Sequence, residues 1–126
     1  MIRERERLGI TEQAAGMIVD GRYDVAIGIL LSEDLRGFPP AMNYLGLLYQ
    51  SGLGVERSLA KARRLFDDAM AQGYGPAAHN LGTLTILEAE EATGELRREL
   101  HRLAKACYQR AAALGFVVAG AEWYEE

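Results

Sequence analysis

Two histidines, one cysteine and a run of carboxylates are the side chains in this chain that could do chemistry. His79 and His101 are 22 positions apart, with neither a His-x3-His nor a Cys-x2-Cys spacing to bring two ligands to one metal ion. Cys107 falls in an apolar stripe with Ala104 and Ala111, which makes it a small buried hydrophobe rather than a nucleophile. Glu88, Glu90 and Glu91 are paired carboxylates in sequence. General acid/base work needs a pocket that drives two pKa values apart, and a helix end among alanines offers none, so they read as a solvated face. Arg97, Arg98 and Arg102 read the same way, partly neutralised by Glu95 and Glu99 at i,i+3. Gly52-x-Gly54 lacks the Lys-Ser/Thr of a phosphate loop. No catalytic, cofactor-binding or metal-binding residue is expected.

The bulk numbers agree with a folded domain without such a site. The chain has 126 residues, 49% hydrophobic and 25% charged, a one-domain composition. A net charge of −4 argues against a nucleic-acid partner and suits a basic protein one. One cysteine permits no intrachain disulfide, which fits a reducing compartment. Arg3 to Arg7 alternate in sign with no apolar core after them, so no secretory signal is read there. No apolar run approaches the ~18 residues of a membrane span. A cytoplasmic location is expected.

The elements that would carry any surface are helices throughout. Thr11 is the expected cap of a first helix after a frayed, solvated turn, and Asp20-Gly21 stops it. A second helix is expected over 23–36, with Ala26, Ile27, Leu30 and Leu31 as its apolar stripe and Pro39-Pro40 beyond it. Pro40 opens the third, lined by Ala41, Leu45 and Leu48, and the turn at 51–55 contains two glycines suited to positive φ. Ser58 caps the fourth, whose apolar face is Ala62, Leu65, Phe66 and Ala69, with Arg63–Asp67 and Arg64–Asp68 as i,i+4 pairs. The fifth runs from Pro76 to about residue 92, and the sixth from Glu95 to Leu114 with Leu96, Leu100, Leu103, Ala104, Cys107, Ala111 and Leu114 buried.

These helices repeat. The stretch from Pro40 through Leu45-Gly46 returns 36 residues later as Pro76 through Leu81-Gly82. Ala119 and Trp123 stand a further 42 residues after Ala77 and Leu81, an insertion near Gly94 accounting for the larger step. Three columns share this frame: Ala26, Ala62 and Ala104; Leu30, Phe66 and Tyr108; Gly37, Gly73 and Gly115. Fixed-period similarity of this kind marks a stacked repeat protein. Small residues would sit where helices cross closely and large ones where they fill grooves.

Ala41-x3-Leu-Gly-x-Leu-Tyr49, Gly52-x-Gly-Val55 and Lys61-Ala62-x3-Phe66-x2-Ala69-x3-Gly73 resemble the Sel1-like repeat, a relative of the tetratricopeptide repeat. The resemblance is close across 40–77, partial across 76–119, where the Gly-x-Gly-Val turn is missing, and loose across 11–39. It implies an all-α, right-handed α/α solenoid of three helix pairs, with units at 11–39, 40–75 and 76–116 and a capping helix over 117–126. It also implies a protein-binding adaptor or chaperone-like scaffold whose first helices line a concave surface. Disulfide-linked members associated with β-lactam binding carry a cysteine pair per unit, which this chain lacks.

By repeat position, Gln13, Met17, Asn43, Leu47, Gln50, His79 and Thr83 should face that groove. Amides, apolar groups and a hydroxyl without clustered lysines suit an amphipathic helix or an extended segment. The expected function is a bacterial, non-enzymatic protein-interaction module without cofactors. The alternative is an immunity or antitoxin-type protein that blocks a cognate toxin or effector. The partner is a protein or peptide, not a nucleic acid or a membrane, and a homodimer is compatible with three units.

Overall fold

The structure, a computed structural model, describes residues 2–117. Six α-helices follow one another with no strand among the described residues: α1 (Glu4–Val19), α2 (Tyr23–Leu30), α3 (Pro39–Ser51), α4 (Leu59–Ala71), α5 (Gly75–Glu90) and α6 (Gly94–Ala113). They pack as the successive pairs α1–α2, α3–α4 and α5–α6, with α5 also against α4 and α3 against α1 and α2. The product is an all-α solenoid. The expected cap over 117–126 lies, from residue 118 onward, outside the described residues.

The helix boundaries follow local chemistry. Pro39, not Pro40, is the first residue of α3, with Phe38 extended before it. A proline at the first helical position sacrifices only an N–H that would be unpaired anyway. The Ser58 side chain accepts a hydrogen bond from the Lys61 backbone N–H at 3.1 Å, a cap worth about 1 kcal/mol. Gly37, Gly73 and Gly115 all have left-handed φ, at +71°, +86° and +88°. That column therefore records one backbone requirement met three times, after α4 and α6 and after the segment that follows α2.

Four expectations are corrected. The first helix starts at Glu4, and Thr11 is a buried mid-helix residue whose hydroxyl donates to the Arg7 carbonyl at 2.7 Å rather than a cap. The second helix stops at Leu30, and a 3-10 turn over Glu33–Leu35 replaces its last part. Leu31 is consequently 63% exposed, and Leu35 is buried instead. Leu96 and Leu103 are also exposed, at 60% and 48%. The remaining columns hold: Ala26, Ala62 and Ala104 are fully buried, as are Leu30, Phe66 and Tyr108 within a few per cent.

One close approach sets the spacing within a pair. A Cβ built on Gly46 would lie 2.4 Å from Phe66 Cε1, and one on Gly82 would lie 2.9 Å from Tyr108 Cε1. No side chain fits there, so the aromatic ring of the second helix rests on the bare backbone of the first. The first pair solves the same problem differently. Its turn is four residues shorter, three residues between helices instead of seven, so α1 is in register with α3 at a step of 32. On that register Ala14 stands where Gly46 does, and both Ala14 and Leu30 belong to the first core cluster. Alanine with leucine replaces glycine with an aromatic.

The same register accounts for the outer face of α1. Ala41, Leu45 and Leu48 are buried on α3, as are Ala77, Leu81 and Leu84 on α5. The matching α1 residues are Gly9, Gln13 and Gly16, all exposed. An apolar face is present only where a preceding helix pair covers it.

Candidate interaction surface

The expected groove residues lie on α1, α3 and α5, the first helices of the three pairs, in differing surroundings. Asn43 on α3 is 7% exposed, and its Oδ1 accepts a hydrogen bond from Asn80 Nδ2 on α5 at 2.9 Å. Asn80, one residue past His79, is the member of this set that the spacing argument missed. Its register partner is Tyr44, so no column marked it. Leu47 is half-buried against the cluster built on Phe66 and Leu81. Gln50 is half-buried as well. Its backbone carbonyl accepts from Arg57 Nε at 3.1 Å, and its Oε1 is enclosed with no hydrogen-bond partner among the described residues.

His79 and Thr83 form a second cluster. The His79 ring is tilted against Tyr108 with centroids 5.0 Å apart and edge-on to Phe116 at 5.6 Å. The Thr83 hydroxyl lies 3.0 Å from the Tyr108 hydroxyl. Gln13 and Met17 stand apart from both groups. Gln13 is exposed at the register position of Leu45, and Met17 packs into the first core cluster. Thr11 and Ala15 hold the register of Asn43 and Leu47.

Burial pushes the His79 imidazole below its ordinary range. The unfolded chain then takes up the proton more readily than the fold. The contribution of His79 is fully present above the unfolded value of about 6.5 and is lost as pH falls through the folded value. Thermal unfolding should give a lower midpoint at about pH 5 than at about pH 7.5. His79→Gln should flatten that difference, and an unchanged slope in the variant would refute the assignment.

The remaining chemistry is structural. Arg63 on α4 does not pair along its own helix as expected. Its Nη2 donates to Thr85 Oγ1 at 3.1 Å and to the Glu88 carboxylate, both on α5. Glu88 is therefore half of a cross-unit ion pair, not part of a solvated face. Burial raises the Asp67 carboxyl above its usual range, and the nearby Arg63 charge opposes the shift. Burial likewise raises the Cys107 thiol, which keeps it protonated and a poor nucleophile. The expected Glu99–Arg102 pair is present on the exposed side of α6. Among the described residues no three His, Cys, Asp or Glu side chains gather as metal ligands, and no helix is long and apolar enough to cross a membrane.

No model of a known protein family matches the chain. A crystal structure of a Sel1 repeat protein from Oxalobacter formigenes superposes on 82% of it with a TM-score of 0.66 at 30% identity. The chain has a Sel1-like repeat fold. It spans 40% of the chain of that structure. Proteins described as DAP3-binding cell death enhancer 1, from Rattus norvegicus and Mus musculus, are 41% identical to it over 46 residues. That stretch is 36% of this chain and 9% of theirs. Within the Sel1-like repeat the columns acquire their meaning. Gly46 and Gly82 carry the rings of the paired helix.

Proposed function

We propose that the chain is a non-enzymatic interaction module that holds a segment of a partner protein against the row formed by its first helices. The supporting observation is the Asn43–Asn80 amide pair bridging α3 and α5, with Leu47 and Gln50 on α3 and His79 and Thr83 on α5. An amide pair can open to offer one donor and one acceptor to a peptide backbone, while Leu47 offers an apolar contact. The Sel1-like repeat fold supports the class of activity, since such repeats generally serve as interaction scaffolds. The mammalian relatives point the same way, because their name records binding to another protein. Of the seven groove residues proposed from the sequence, Asn43, Leu47, Gln50, His79 and Thr83 are the strongest. Gln13 and Met17, at the register of Leu45 and Tyr49, fall outside this contact.

The test is site-specific photo-crosslinking in the native host, with the photoreactive residue placed at Leu47 and, as a control, at the exposed Arg110 of α6. Capture of one protein at Leu47 and not at Arg110, reduced several-fold by Asn43→Ala, is the expected result. Equal capture from both positions, or capture indifferent to Asn43→Ala, would remove the first-helix row as the binding face. Capture of the chain by itself would make the row a dimer contact.

A further inference from the structure

The shortened α2 leaves a second surface, between α2, α3 and α4. α2 has 8 residues where α4 has 13, and the chain turns away through the 3-10 segment. The result is an open crevice walled by α2 and α4 and floored by Leu45 and Met42 of α3. Two adjoining hollows of about 320 and 230 Å³ share Leu31, Leu45 and Leu65. Leu31 is the informative residue. Its register partners are Asp67 and Gln109, so the repeat asks for a polar side chain there. Packing does not account for a leucine that is 63% exposed in this place.

The rim has a definite sign. Glu33 and Arg36 pair with each other at 3.4 Å and neutralise one edge. Lys61 and Arg64 of α4 line the other edge, and Lys61 also lies over the Tyr49 ring at 5.4 Å. Lys61 and Arg64 thus set two cations beside an apolar floor on a chain of net charge −4. Two shallow hollows side by side suit a pair of neighbouring apolar side-chain anchors on one segment.

We infer that this crevice is a second docking site, for an amphipathic segment of a partner protein whose apolar anchors are flanked by aspartate or glutamate. The apolar anchors would fill the two hollows against Leu31, Leu45 and Leu65, and the carboxylates would meet Lys61 and Arg64. This site is independent of the first-helix row, so failure of either proposal leaves the other standing.

The test uses the full chain and a short fluorescein-labelled amphipathic peptide whose leucines are flanked by glutamates, read by anisotropy. A twin peptide carries lysines in place of the glutamates. Lys61→Glu combined with Arg64→Glu should weaken the glutamate peptide about tenfold, the scale of two exposed charge pairs turned repulsive. The same variant should improve binding of the lysine peptide, and Leu31→Glu should abolish binding of the glutamate peptide. Arg97→Glu combined with Arg98→Glu makes an equal charge change on α6 and should leave binding unaltered. Equal affinity for the two peptides, or indifference to Leu31→Glu, would overturn the inference. Preference for anionic vesicles over the peptide would overturn it in favour of a membrane surface. Sedimentation showing self-association abolished by the Lys61/Arg64 reversals would overturn it in favour of a second copy of the chain.

Discussion

Gly46→Ala is expected to destabilise the chain by about 1–3 kcal/mol, although it adds one methyl group. In an ordinary helix the change would stabilise by about 0.5–1 kcal/mol, so even the sign is diagnostic. The new Cβ would fall 2.4 Å from Phe66 Cε1 and 2.8 Å from Cδ1 and Cζ. Phe66 is completely buried and has nowhere to retreat without moving α4. The remedy is already present in the first helix pair, where Ala14 and Leu30 occupy the equivalent positions. Phe66→Leu alone should cost on the order of 1 kcal/mol through the cavity it leaves. Combined with Gly46→Ala it should recover stability, giving a coupling of about 1–2 kcal/mol in a urea-denaturation cycle. Additive losses would show that the ring does not rest on the glycine as described.

Tyr108→Ala should have the larger effect, about 3–5 kcal/mol, as for other aromatic truncations in cores. A small domain has a total stability of about 5–15 kcal/mol, so this is a large share of it. Tyr108 covers Gly82, flanks His79 and meets the Thr83 hydroxyl. In a stacked array each unit contacts only its neighbours, so the damage should be local. Hydrogen exchange should show protection lost across α5 and α6 and largely kept in α1 to α3. Tyr108→Phe, which keeps the ring and removes the hydroxyl, should cost about 1 kcal/mol. Uniform loss of protection along the chain would mean that the units do not open separately.

What the sequence made legible depended on whether a constraint was repeated. Gly37, Gly73 and Gly115 share a left-handed backbone, and Ala26, Ala62 and Ala104 share a closed crossing, so a fixed step exposed both. The all-helical stacked architecture followed. Features present once were not legible. Arg63 has an acidic residue within its own helix and another on α5, and only the three-dimensional packing chooses Glu88. Leu31 continues a regular apolar stripe, but the helix beneath it ends one residue earlier. The groove was partly legible. Asn43 and His79 follow from the 36-residue step, while α1 obeys a step of 32 because its turn is shorter, which displaces Gln13 and Met17 from the row.

The resting of a ring on a bare backbone bears on how such arrays diverge. Neither member of the pair can drift by itself: enlarging the glycine collides, and shrinking the ring hollows the core. Lineages should therefore pass between the two solutions through coordinated exchanges, and sequences of related repeats should show glycine travelling with phenylalanine or tyrosine and alanine travelling with leucine. This single chain already contains both alleles of that bargain, one in its first pair and the other in the two that follow.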